Sequence, residues 1–171
     1  MIPDEENAFN LLNKAGCSKK IILHCQIVAD HARSIANRIK ENGYSIDIEL
    51  VVIGAILHDI GRSRTHDIRH GIEGAYLCEK YGLDERIIRI IKTHIGAGIS
   101  SDDAIALGLP AGDYVPKSLE EKIVAHADNM VEDDTIVSIS TKIKILQKKG
   151  RDEKVIRRIV ALNDEITKMM N

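Results

Sequence analysis

The residues of this sequence best suited to chemistry are a histidine and an aspartate side by side, His58-Asp59, at the end of its most apolar segment. An imidazole and a carboxylate at a buried helix end need partners, because an unpaired charge in a core is costly. A divalent cation is one such partner: both side chains are good ligands for Zn, Mn, Fe, Co or Ni. A capping aspartate beside a partly buried histidine is the plainer reading of the dipeptide alone. Three further polar residues interrupt apolar helical stripes. Asp128 lies on the line Val124, Asp128, Val131; His94 on the line Ile87, Ile91, His94; and His24 falls three residues after Ile21 and four before Val28. Any one of them alone is more often a satisfied core residue. Together with the dyad they point to a metal-binding cluster.

The elements that must carry these residues are helices. The pattern predicts a helix from an N-cap at Ser18 to a stop at Asn42-Gly43, with Ile21, Cys25, Val28, Ala32, Ile35 and Ile39 stepping by four and three. Asp47 caps the next one, apolar almost all round from Leu50 to Leu57 and ending by Gly61, hence central and buried. Further helices are expected over 70–81, closed by Gly82, and over 85–95, capped by Asp84 and stopped by Gly96. The stretch 96–117, with four glycines and two prolines, reads as a long loop. Ser118 to Glu121 has capping-box spacing and opens a helix through Val131, and two amphipathic helices broken at Gly150 finish the chain. No alternating strand pattern is convincing, so the expected fold class is all-α.

Composition fits one domain over residues 1–171, with a ligand-bearing core at about 18–132 and C-terminal helices at about 135–170. Aromatics are only 3%, so Ile, Leu, Val and Ala must build the core. A formal net charge of -2 argues against coating a nucleic acid polymer or an anionic membrane, but not against a small anionic substrate at a metal site. Cys17, Cys25 and Cys78 lack metal-like spacing and read as buried thiols in a reducing compartment. The acidic N-terminus lacks a signal-peptide layout, and no apolar run approaches the ~20 residues of a membrane span, so a cytoplasmic location is expected. The C-terminal amphipathic helices leave room for a homodimer.

The order His24, His58-Asp59, Asp128 resembles the four-ligand pattern of the HD superfamily of metal phosphohydrolases. Leu57-His58-Asp59-Ile60-Gly61 is similar to the motif of its HDIG subgroup, His24 with Val28-Ala29 and Ala32 to the first ligand helix, and Ala127-Asp128 to the last. The resemblance spans His24 to Val131 and implies an all-helical HD bundle around one or two divalent ions. His24, His58, Asp59 and Asp128 would hold the first ion; Asp59, His70 and His94 would hold a second, with Asp59 bridging both. Gly71 and Gly74 beside His70 suit a site where backbones approach closely. The implied activity is hydrolysis of a nucleotide or other small phosphate ester by metal-activated water. Arg62, where many relatives carry a basic residue, is then a phosphate contact; Arg64 and Lys92 are weaker candidates. The chain has His94-Ile95 where the cyclic-dinucleotide phosphodiesterases of the HD-GYP subgroup carry two adjacent histidines, and it lacks Gly-Tyr-Pro. Its layout looks closer to small stand-alone relatives such as diadenosine tetraphosphate hydrolases, with an imperfect match after His94. Two other readings share the ligand set: an oxygenase with two irons, and a non-catalytic nucleotide sensor.

The remaining histidines are sorted by position. His31 shares a face with His24 but lies about 10 Å along the helix, too far to bind the same ion. His126, two residues before Asp128, points elsewhere, and His66 lies in a polar segment after the dyad, open to substrate or to solvent.

Overall fold

The computed structural model describes residues 1–171, and its elements follow from local sequence. Helix α1 (Glu5–Ala15) was not anticipated from the pattern. Asp4 caps it by accepting from the Asn7 N–H, Glu5 and Glu6 complement the dipole of its first turn, and Gly16 closes it in the left-handed region at φ 88°. Its Ala8 and Leu12, four residues apart, are fully buried. Helix α2 (Lys19–Glu41) starts at the Ser18 cap as expected and buries Cys25, Val28, Ala32, Ile35 and Ile39.

Helix α3 (Ile48–Leu57), capped by Asp47, buries every residue from Leu50 to Leu57. A helix with no polar side must be surrounded, and α1, α2, α5 (Glu85–Thr93) and α7 (Leu119–Asn129) pack around it. The helical bonding relaxes at His58 and resumes as a 3-10 turn over Ile60–Ser63, which packs on α4 (His70–Lys80). At this crossing the backbones nearly touch. A Cβ on Gly61 would collide with the His70 carbonyl and lie 2.5 Å from the Gly74 N, and one on Gly74 would lie 3.0 Å from the Gly61 N. Close approach was expected beside His70, and Gly61 is Gly74's partner in it.

The stretch 96–117 is more ordered than a plain loop. It contains α6 (Ser101–Ala106), capped by the Ser100 hydroxyl and carrying Asp102 and Asp103 in its first turn, and a bridge pairs Ile99 with Tyr114. Gly98, at φ 95°, lets the two arms meet: a Cβ there would lie 2.6 Å from Val115 Cα. Helix α7 stops two residues before the expected Val131. A two-stranded antiparallel hairpin follows, β1 (Val131–Glu132) and β2 (Thr135–Ile136), with Val131 opposite Ile136. Asp133 turns it at φ 51°, a left-handed position that Asp tolerates better than most residues.

Helices α8 (Ile139–Lys148) and α9 (Glu153–Met170) flank Gly150 as the pattern required. The stripe Ile156, Ile159, Leu162 and Ile166 of α9 is buried within the chain, where α9 packs on α7, α8 and α2. That stripe of α9 is therefore part of the chain's own core. The fold is all-α apart from the small hairpin, and all three cysteines are free and buried. No helix is long and apolar enough to cross a membrane.

The Gly61–Gly74 crossing yields a test. In Gly61→Ala the methyl group meets backbone, which cannot swing aside, and the expected loss is about 3 kcal/mol of stability. In Gly54→Ala the nearest atom is the Ile90 side chain at 2.6 Å, which can change rotamer, so the loss is smaller, about 1 kcal/mol. Urea denaturation of the two variants checks the order; equal midpoints would contradict the backbone contact.

Candidate metal centre

Five helices deliver the six side chains singled out above to one point. His24 comes from α2, His58 and Asp59 from the end of α3, His70 from the first position of α4, His94 from the end of α5, and Asp128 from the last turn of α7. The helices are fixed against one another by polar ties as well as by the core. Glu121 of α7 accepts from Thr93 Oγ1 at 3.1 Å and Arg89 at 3.2 Å on α5, and from the Lys117 N–H at 3.2 Å. Asn129 Nδ2 donates to the Gly96 carbonyl at 2.8 Å, holding the segment after His94 against the end of α7.

Asp59 is the centre. Its Oδ1 lies 3.2 Å from His70 Nε2 and 3.5 Å from His94 Nε2. Its Oδ2 lies 3.7 Å from His58 Nε2 and 3.9 Å from His24 Nε2. Asp128 Oδ1 completes the second side, 3.0 Å from His24 Nε2 and 3.4 Å from His58 Nε2. Three overlapping triads, His24-His58-Asp59, Asp59-His70-His94 and His58-His94-Asp128, each bring three ligand atoms within 4.8 Å of one another, and the first two share Asp59. His58, Asp59, His70 and His94 are all buried, while His24 and Asp128 are partly exposed.

The hydrogen bonds around the cluster decide which atoms face inward. His58 Nδ1 donates to the Ala55 carbonyl at 2.6 Å, His70 Nδ1 to that of Asp67 at 2.7 Å, and His94 Nδ1 to that of Ile91 at 2.8 Å. A carbonyl only accepts, so each Nδ1 carries the proton, and in the neutral ring each Nε2 presents a bare lone pair. Nε2 of His70 and His94 then face each other at 3.1 Å, with Asp59 Oδ1 beside them. Acceptors converge there without a donor. His58 Nε2 and Asp59 Oδ1 are buried and have no hydrogen-bond partner. Such a group of buried acceptors suits a cation, and a divalent ion of the zinc or manganese kind fits the donor set of imidazole nitrogens and carboxylate oxygens.

Without a cation, a proton on His58 relieves part of the same crowding. Burial favours a neutral Asp59, but His58, His70 and His94 outweigh it and hold the carboxyl well below the usual range. Asp128 is likewise depressed against its burial, by His58 and His24. Burial opposes a charged His58, yet Asp59 and Asp128 raise its pKa well above normal. In His94 burial prevails and the ring stays neutral, the state in which imidazole ligates metals.

Outside the cluster the other sequence candidates divide. Arg62 is in the 3-10 turn and half-buried; its Nε donates to Asp59 Oδ2 at 2.7 Å, and one terminal nitrogen to the His66 carbonyl at 3.3 Å. It reaches the dyad as expected, but holds the aspartate rather than standing free. Arg64 is exposed and outside the cleft lining, and Lys92 pairs with Glu79 at 3.2 Å on the far side of α4. His126 is buried beside the half-buried His31, burial and that neighbour lowering its pKa to about 4, and neither lines the cleft. His66 does line it.

The cluster opens on a cleft of about 510 Å³. Its wall includes residues that sequence reasoning passed over: Lys20 at the start of α2, Glu132, Asp133 and Asp134 of the hairpin, and Lys142 of α8. Nothing in the local pattern distinguishes Lys142 from the other lysines of an amphipathic helix.

A helical bundle that brings histidines and aspartates from successive helices to one buried point defines a metal-binding helical domain of the histidine–aspartate kind. The chain belongs to the HD domain family, which matches residues 21–132. It is 47% identical over 166 residues to the uncharacterized protein MJ0778 of Methanocaldococcus jannaschii, covering 96% of this chain and 98% of that one. It is 41% identical over 166 residues to the tRNA (cytidine(56)-2'-O)-methyltransferase of Picrophilus torridus, covering 97% of this chain but only 47% of that protein. Among solved structures, the fold matches the HD domain of the phosphodiesterase PgpH of L. monocytogenes in complex with cyclic-di-AMP, with TM-score 0.58 and 19% identity over 94% of this chain and 95% of that one. At that identity the likeness establishes the fold.

Two substitutions test the cluster by metal content. Asp59→Ala, which removes the carboxylate shared by two of the three triads, is expected to lose most bound metal; wild-type content would contradict the assignment. His94→Ala is expected to bring a two-metal protein down to about one ion per chain with an unchanged helical spectrum. Elemental analysis with circular dichroism reads both outcomes.

Proposed function

We propose that this protein is a metal-dependent phosphohydrolase that cleaves a nucleotide or another small phosphate ester with metal-activated water. The observation that carries the reading is Asp59, whose two oxygens each face a separate group of histidines, the arrangement a bridging carboxylate needs. His24, His58, Asp59 and Asp128 would hold one ion, and Asp59, His70 and His94 the other. Ions so held supply a water of lowered pKa and offset charge on the phosphoryl oxygens.

The chain's own residues do the rest. The three backbone-tethered imidazoles cannot rotate away, so the ligand geometry is set before substrate arrives. Arg62 fixes Asp59 through Nε and keeps its terminal nitrogens at the cleft, where a phosphate oxygen can accept from them. The lining holds five carboxylates against Lys20, Arg62 and Lys142, so an anionic substrate is welcome only once cations sit in the cluster.

A second reading is favoured by the methyltransferase relative, half of which this chain matches: the scissile phosphate ester could belong to an RNA. The experiment that separates the readings is a hydrolysis screen of nucleotides, phosphate esters and a tRNA transcript with Mn, Co, Ni, Fe and Mg. Turnover of small esters is expected. Turnover of the transcript alone would favour the RNA reading. Oxygen uptake by the iron-loaded protein without any phosphate release would favour the oxygenase, and nucleotide binding without either reaction the sensor.

Arg62→Ala is expected to lower kcat/KM on the best substrate roughly tenfold or more, about 1.4 kcal/mol, with metal content retained. Arg62→Lys restores little, because an ammonium cannot hold Asp59 and phosphate in one plane. Unchanged kinetics in Arg62→Ala would confine Arg62 to its contact with Asp59.

A further inference from the structure

The metal cluster accounts for the floor of the cleft but not for the wall formed by the hairpin and α8. Lys142 stands in that wall and is among the few buried charged residues of the chain, only 9% exposed. Its Nζ donates to Glu132 Oε1 at 2.5 Å, and Lys149 approaches Glu132 Oε2 at 3.5 Å from the solvent side. Two ammonium groups thus share the one carboxylate of Glu132. Of the two only Lys142 lines the cleft, together with Asp133 and Asp134, so it is the ammonium of this wall that can meet an anion once cations offset those carboxylates. A tether between the hairpin and α8 would need only one of these lysines, and keeping an ammonium out of water is costly. Lys149 can go on holding Glu132 while Lys142 turns its remaining protons to an incoming anion.

The rest of the lining narrows what that anion is. Ile21 and Val131 are its only apolar residues, and no Phe, Tyr or Trp reaches it, so beyond the imidazoles of His24 and His66 the cleft offers little on which a nucleobase could stack. Whatever extends beyond the phosphate at the metals meets charge. Arg62 and Lys142 approach from separate elements, the turn after α3 and the far helix α8, around a space that as a sphere would be about 10 Å across. That is room for two linked phosphates.

We propose that Lys142 grips a second phosphate of the substrate, other than the one attacked, so that preferred substrates carry at least two phosphates, as a nucleoside diphosphate or a dinucleotide does. The inference rests on the phosphohydrolase reading for the phosphate attacked, but it can be measured without turnover. Calorimetric titration of the manganese-loaded protein with the analogues of AMP and ADP whose bridging phosphate oxygens are replaced by methylene compares one phosphate with two. Wild type is expected to bind the diphosphate at least tenfold more tightly. Lys142→Met should shrink that margin to about threefold or less while leaving the affinity for the AMP analogue unchanged, and Lys142→Arg should keep most of it. No margin in wild type, or the same margin in Lys142→Met, would overturn the proposal; a lowered melting temperature with the margin intact would assign Lys142 to the hairpin tether alone. Should Lys142→Met not fold, Lys149→Met replaces it: Glu132 then claims Lys142, and the margin must fall, an unchanged margin overturning the proposal. A margin that depends on Lys142 in a protein that hydrolyses no phosphate ester would sink the hydrolase reading and leave this one standing.

Discussion

The structure depends on a group of acceptor atoms crowded to one largely buried point, with the Arg62 guanidinium donating into it from one side. Nε2 of His58, His70 and His94 and the oxygens of Asp59 and Asp128 converge in a largely buried space, and three of the imidazoles have their protons committed to backbone carbonyls. Lone pairs facing one another repel, and water that could relieve them is largely excluded. Only a rigid surround can hold such an arrangement ready for a cation. The wholly apolar helix α3 is that surround's axis: every residue from Leu50 to Leu57 is buried, so its end, where the dyad sits, has little freedom to relax.

The same constraint explains features that look incidental one by one. Gly61 and Gly74 allow the turn carrying Asp59's partner Arg62 to lie directly on α4, which brings His70 to the cluster. Glu121 and Asn129 tie the ends of α5 and α7, fixing His94 relative to Asp128. Arg62 occupies one oxygen of Asp59 and so orients the carboxylate, leaving the other oxygen toward His70 and His94. Each of these contacts sets the position of a ligand atom rather than adding to the apolar core.

The cleft inherits its electrostatics from the cluster. Its carboxylates outnumber its ammonium and guanidinium groups, so without cations it repels phosphate, and with them it becomes the one strongly attractive place for an anion on this face. Binding of substrate and binding of metal are in this way one problem. A lining almost free of apolar side chains leaves recognition to charge and hydrogen bonding, which suits a substrate presented by its phosphates.

The sequence by itself determined most of the helices and, with the family resemblance, which residues to expect in the cluster. Caps at Ser18, Asp47, Asp84 and Ser118, stops at Gly43, Gly82 and Gly150, and apolar steps of three and four are local signals, and His24, Asp59, His94 and Asp128 were legible because each breaks an apolar stripe. Helix α1 escaped because its stripe is short, and α6 because glycines and prolines around it masked the Ser100 cap. Only the tertiary structure decided that Asp59 faces two groups of histidines, that Arg62 is engaged with Asp59, and that Lys142, more than eighty residues from the dyad, closes the same cleft. Those outcomes depend on how helices distant in sequence cross and on which ring nitrogen finds a carbonyl, and residue spacing along one helix carries no information about the orientation of another.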